Sequence, residues 1–194
     1  MKVNEYFDRV VVINLDRRTD RMERLDAQLK ELGIEYERFS AIDAKILGVE
    51  GMVAGTMSHV MVIKKYAGKR ILILEDDALF CNDFNEKFAE VIPELPNDWG
   101  IFYLGALLPK DTGEVQDIGN KYWFKQIMST GSHAYCINPS MMTEIAYKLD
   151  NYQWYIDIGL RLENESRNCY ITQPNLVTQF PSFSDLRGKE VDDF

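Results

Sequence analysis

The stretch Ile71–Leu79, ILILEDDAL, decides the fold: four consecutive apolar residues run straight into three carboxylates, Glu75, Asp76 and Asp77. A continuous apolar run of this length is the pattern of a strand covered on both faces, as in parallel sheets, rather than of a strand with one wet face. Burial that stops abruptly at charge marks the strand's end. In open α/β sheets ligands bind outside the carboxyl ends of the strands, so the three acids are predicted to stand at a ligand crevice.

Outward from that run, Val10–Leu15 (VVVINL) reads as an earlier buried strand. Thr19 and Asp20 can cap a following helix in which Met22, Leu25, Leu29 and Leu32 recur at helical spacing until Gly33. Tyr36–Ile42 reads as a strand and Ala54–Tyr66 as a helix ended by Gly68. After the acidic run come a short helix over Phe84–Ile92 and a strand at Ile101–Leu104. Beyond Pro109 lie a polar stretch, strands at Tyr122–Met128 and His133–Ile137, a helix over Pro139–Leu149 and an irregular tail. This alternation predicts an α/β fold with a mostly parallel, Rossmann-like sheet flanked by helices.

Bulk properties narrow the class. A chain of 194 residues, 46% hydrophobic and 12% aromatic, can bury one sizeable core, which points to a single domain over 1–194. No apolar run approaches a bilayer span and the start of the chain lacks the order of a secretory signal, so a cytoplasmic protein is expected. Cys81, Cys136 and Cys169 are far apart and without CxxC spacing, which suggests neither a disulfide framework nor a zinc site. A net charge of -9 with no Lys/Arg stripe argues against nucleic acid as a partner.

Clustered acids repel one another, and a hard divalent cation keeps them ionised together. Mg2+ or Mn2+ typically retains waters and adds substrate phosphates, a description that a nucleotide diphosphate meets. The plainer alternative is that Asp77 caps a following helix. Receiver domains also place an acidic pocket after an apolar strand, but their acidic pair closes the first strand and an aspartate ends the third. Here the run itself ends a third strand, and the strand at Ile101–Leu104 runs into Gly105. A second cluster, INLDRRTDRMERL at Ile13–Leu25, delivers Asn14, Asp16, Arg17, Arg18 and Arg21 to a strand-to-helix turn. Guanidinium groups and a helix N-terminus can hold phosphate there, or the arginines can pair with neighbouring acids on a solvated face.

Five segments in order, INLDRRTDR (Ile13–Arg21), GTMSH (Gly55–His59), ILILEDDALF (Ile71–Phe80), YLG (Tyr103–Gly105) and TGSHAYCI (Thr130–Ile137), resemble glycosyltransferase family 25 over nearly the whole chain. That family holds lipooligosaccharide (lipopolysaccharide) and procollagen galactosyltransferase-type enzymes. DIGLRL, QPNLVTQ and SFSDLRG fit the same pattern. The resemblance implies a GT-A fold, a UDP-sugar donor, usually UDP-galactose, and inverting transfer to a hydroxyl of a glycan or protein acceptor. It implies a nucleotide-sugar half over 1–108 and an acceptor half over 109–194. Glu75 and Asp77 match the outer members of a DxD-type metal motif, with Asp77 the better direct ligand and Asp76 the middle member. Asn14, Leu15, Arg18 and Arg21 would line the nucleotide end, with Ser58 and His59 near the donor.

Direct displacement at an anomeric carbon needs charge uptake on the departing diphosphate and a base for the acceptor hydroxyl. Asp157, in YIDIGL after Tyr152, Trp154 and Tyr155, is the leading candidate base, and Asp185 in SFSDLRG is the alternate, with Arg187 a possible phosphate ligand. Asp157 can equally cap a helix, and the aromatics can equally be core. Gly131, Ser132 and His133 form a segment that lets backbone approach a sugar or phosphate, or a strand-start turn. His59 and His133, the two histidines, can be polar crevice groups or hydrogen-bonded structural residues. Two other classes compete: a catalytically silent nucleotide-sugar or glycan-binding module of the same fold, and a phosphatase or nuclease, which lacks the further His and Asp sets such sites recruit.

Overall fold

The computed structural model describes residues 1–107, 115–126, 130–152, 155–166, 168–184 and 189–191. A short helix α1 (Val3–Tyr6) leads into β1 (Arg9–Asn14), α2 (Thr19–Glu31), β2 (Glu37–Ser40), α3 (Ala44–Leu47) and α4 (Gly51–Lys65). Then follow β3 (Ile71–Glu75), β4 (Ala78–Phe80), α5 (Phe84–Val91), β5 (Ile101–Leu107), β6 (Val115–Asp117), β7 (Trp123–Gln126) and β8 (Thr130–Ile137). The chain ends with α6 (Met142–Tyr152), α7 (Ile156–Ser166), β9 (Cys169–Thr172), β10 (Val177–Gln179), β11 (Ser182–Ser184) and β12 (Lys189–Val191).

Eight strands form one sheet in the order β2-β1-β3-β8-β5-β9-β7-β6. β1 is parallel to β2 and β3, and β5 to β9, whereas β8 is antiparallel to both β3 and β5. β7 opposes β9 and β6 opposes β7, so six strands share one direction and only β7 and β8 run against it. The expected mostly parallel α/β sheet is therefore present, with β8 inserted between its two parallel parts.

The apolar runs supply both faces through strand alternation. Val10 and Val12 of β1 and Leu72 and Leu74 of β3 pack with Leu25 and Leu29 of α2 and Phe84 and Phe88 of α5. Their neighbours Val11, Ile13, Ile71 and Ile73 pack on the other face with Val62 and Ile63 of α4 and Ile145 and Leu149 of α6. That two-sided burial is why these strands lack polar alternation.

Three local expectations are corrected. The tail after residue 150 is not irregular: α7 and β9 lie there, and β9 joins the sheet because Cys169, Tyr170 and Ile171 are buried between β5 and β7. The acidic run is followed by β4, not by a helix, which removes the capping role considered for Asp77. Helix α4 begins at Gly51 rather than Ala54. No helix among the described residues is long and apolar enough to cross a membrane.

Gly105 has a specific reason to be glycine. β10 crosses so closely that a Cβ at 105 would lie 1.6 Å from the Val177 carbonyl oxygen. Backbone cannot yield as a flexible side chain can. Gly105→Ala is expected to lower the unfolding free energy by more than about 3 kcal/mol, read from the urea midpoint, with β10 losing amide-exchange protection.

Candidate functional site

The acidic run sits at the carboxyl end of β3, where a cleft opens between β1, α4, β8 and the start of α7. Glu75, Asp76, Asp77, Ser132 and Asp157 line it. The opening arginine cluster and the TGS segment thus meet the acids in space, although 110 positions of chain separate Arg21 from Gly131 in the numbering.

Asp76 is clamped. Asn14 Nδ2 donates to its Oδ2 at 2.8 Å and Arg21 Nη1 to its Oδ1 at 2.7 Å, both pairs buried. Asn14 also donates to the Arg18 carbonyl and accepts from Arg38 Nε at 2.8 Å. Asn14 therefore ties the ends of β1 and β2 to Asp76 from beneath the cleft rather than lining it. A buried charge needs such partners, because its desolvation outweighs an imperfect pairing.

Glu75 faces the other side of the sheet. Its Oε1 lies in close contact with Ser132 Oγ and 3.3 Å from His59 Nε2. His59 Nδ1 in turn is 2.9 Å from the hydroxyl of Tyr135, a buried residue of β8. Burial pushes the Glu75 carboxyl up, but the hydrogen bond and charge of His59, with Ser132, outweigh it and hold the group down at about 2. Ser132 Oγ also lies 2.9 Å from Asp157 Oδ1, in the first turn of α7.

Asp77 has the opposite environment. Its polar contacts are long: Gln179 Nε2 donates to Oδ1 at 3.3 Å and Arg21 Nη1 lies 3.5 Å from Oδ2. Burial first, and then the charge of Glu75, push its carboxyl up to about 7, against the pull of Arg21. The nearest cation, Arg21, sits closer to Asp76 and does not offset that push. No group of three or more His, Cys, Asp or Glu side chains converges as a metal-ligand set among the described residues. A Mg2+ or Mn2+ ion, which takes few protein carboxylates and otherwise oxygens of water or phosphate, would find one such carboxylate here in Asp77. Asp77 suits that role better than Glu75, whose Oε1 already faces His59 and Ser132.

The remaining expected residues divide. Leu15, Ser58, His59 and Gly131 line the cleft. Ser58 Oγ donates to the Ala54 carbonyl and accepts from Ile42 N at 2.9 Å, so it also supports the loop after β2. Arg18 forms a two-pronged pair with Asp20 at 2.9 and 2.8 Å. His133 is buried beside Gly131 with Nε2 3.1 Å from the Val177 carbonyl, and burial lowers its pKa. Asp185, Arg187 and Trp154 lie outside the described residues. Reading the sequence missed Gln179, at the end of β10, and Phe180 just after it, which line the cleft, and the contact of Arg24, whose guanidinium stacks 3.7 Å over the Phe180 ring. QPNLVTQ carried that signal only as a motif fragment. Arg17, Ile42 and Met52 add an apolar and cationic end to the cleft, where Arg17 pairs with Asp43 at 2.7 Å.

No family model matches the chain. It is 29% identical over 137 residues to a Drosophila melanogaster protein named glycosyltransferase 25 family member, covering 55% of this chain and 22% of that one. A protein of Acanthamoeba polyphaga mimivirus, named as an inferred glycosyltransferase, is 30% identical over 140 residues, 59% of this chain and 43% of its own. Mouse procollagen galactosyltransferase 2 is 26% identical over 129 residues, 51% of this chain and 21% of its own. A human relative named inactive glycosyltransferase 25 family member 3 is 28% identical over 129 residues, 51% of this chain and 22% of its own. The chain thus spans less than half the length of each of these relatives, and the resemblance to glycosyltransferase family 25 is borne out by the names they carry. Among solved structures, 4-diphosphocytidyl-2C-methyl-D-erythritol synthase from Anaerococcus prevotii shares the fold, with a TM-score of 0.51 at 11% identity over 93% of this chain and 76% of that one.

The Asp77 environment gives a stability signature. An acid whose folded pKa lies above its unfolded value costs nothing while both states are protonated. It destabilises as pH rises from 3.8 to about 7, and fully so above that. The shift corresponds to on the order of 4 kcal/mol. In EDTA, Asp77→Asn should match the wild type in unfolding free energy near pH 4 and exceed it by several kcal/mol at pH 8. A difference that does not grow with pH would remove the frustrated-carboxylate reading.

Proposed function

We propose that this chain is a metal-dependent inverting glycosyltransferase that moves a hexose from a UDP-sugar to a hydroxyl of a glycan or protein acceptor. The carrying observation is Asp77: a half-buried carboxylate just past the end of β3, with only a long contact to Arg21, in the same cleft as a second carboxylate, Asp157, on another element. The names of the relatives support the reaction class, and procollagen galactosyltransferase 2 among them favours galactose as the sugar. When bound, the cation supplies charge neutralisation for the departing diphosphate.

The chain's own residues do the rest. Asp76, clamped by Arg21 and Asn14, holds the run rigid so that Asp77 is aimed at the diphosphate end. Leu15, Arg17 and Ile42 form the wall for the nucleotide. Asp157 takes the acceptor proton as the new bond forms. Phe180 and Gln179 cover the diphosphate end and keep water from competing for the donor.

A second reading is a silent nucleotide-sugar or glycan-binding module, favoured by the relative named inactive. A panel of UDP-sugars with and without Mn2+, followed by UDP release and by thermal protection, separates the two. Transfer predicts Mn2+-dependent UDP release for one or a few donors; protection without release points to the binding module, and equal response to every donor contradicts both. Asp157→Asn should lose transfer by about 100-fold or more while binding UDP as the wild type does. Full activity in that variant would remove Asp157 as the base.

A further inference from the structure

Ser132, buried on β8, stands between two carboxylates: in close contact with Glu75 Oε1 and 2.9 Å from Asp157 Oδ1. A serine hydroxyl has one hydrogen and two lone pairs, so its hydrogen serves only one of them. The closer contact is with Glu75. His59 reinforces that choice: Nε2 lies 3.3 Å from the same oxygen, while Tyr135 engages Nδ1. Toward Asp157, Ser132 then presents only lone pairs. Two acceptors at 2.9 Å repel unless a hydrogen lies between them, and a proton taken up by Asp157 supplies one.

On the glycosyl-transfer reading above, we propose that Ser132 is a positioning residue: its hydrogen held by Glu75, its oxygen receives the O–H formed on Asp157 when that carboxylate takes the acceptor proton. In the balanced step the acceptor oxygen bonds to the anomeric carbon as its proton passes to Asp157. The bond from that carbon to the diphosphate oxygen breaks, and its electron pair leaves on the diphosphate. The carboxyl turns about its Cβ–Cγ bond, a soft torsion, and directs the new O–H to Ser132 Oγ. Proton uptake thereby completes a chain from Asp157 through Ser132 to Glu75. Ser132 touches Asp157 and Tyr135, also on β8, is within its electrostatic reach, while Glu75 on β3 and His59 on α4 line the same cleft. From α6, Lys148 is held by Glu144 and Glu163.

The arrangement has a sign. Ser132 stabilises protonated Asp157, so removing its oxygen should make Asp157 a weaker base. Titration of the Asp157 carboxyl by 13C NMR, assigned through Asp157→Asn, should show the group about one pH unit lower in Ser132→Ala than in the wild type. The acid limb of kcat/KM should move the same way, with UDP affinity unchanged. An Asp157 pKa that stays put or rises would overturn the proposal, a rise meaning that Ser132 donates to Asp157 instead. Because the NMR readout needs no turnover, loss of the transferase reading leaves it intact and distinguishable. Should Ser132→Ala fail to fold by circular dichroism, Ser132→Cys, close in volume and a poor acceptor, takes its place with the same expected shift.

Discussion

The paired hydrogen bonds from Arg21 and Asn14 to Asp76 are the constraint on which the site depends. They join the first turn of α2, the end of β1 and the end of β3 at one buried carboxylate. Removing either donor would strand a charge in a desolvated place. With Asp76 held on the α2 face of the sheet, strand alternation sends Glu75 to the α4 face. The run thus presents three acids in three different surroundings, with Arg21 close to Asp76 and more distant from Asp77.

Environment then separates two nearly identical side chains. Glu75 meets His59 and Ser132 and is driven down, while Asp77 meets burial and the charge of Glu75 and is driven up. Pairs of titratable groups pushed apart in this way are how a fold assigns roles to like residues. Glu75 is a fixed anion that organises β8 and α4. Asp77 is the weakly partnered carboxyl of the run, in a cleft it shares with Glu75 and Asp157.

The returning segment around β10 closes the arrangement from far away in the chain. Its Val177 carbonyl accepts from His133 and lies over Gly105, Gln179 reaches Asp77, and Phe180 stacks under Arg24. The four residues Val177 to Phe180 thereby couple the sheet's central strands to the acidic run. The apolar stripe left exposed on α4, through Val53, Met57 and Met61, takes no part in this.

The alternation of apolar runs with amphipathic stretches determined the α/β class from sequence alone, and an acidic run directly after four buried residues marked the strand end at which a cleft opens. Two-sided burial and the abrupt onset of charge are local signals. What the tertiary structure decided is which polar groups meet. Asn14 and Arg21, read as ligand contacts, are also the donors to Asp76, and Ser58, which lines the cleft beside Arg21, also supports a loop, because burial demands partners that spacing does not reveal. The insertion of β8 between β3 and β5, which sets Ser132 against Glu75 and Asp157, had no local signature. Strand order is a long-range choice, made by packing both faces of the sheet at once.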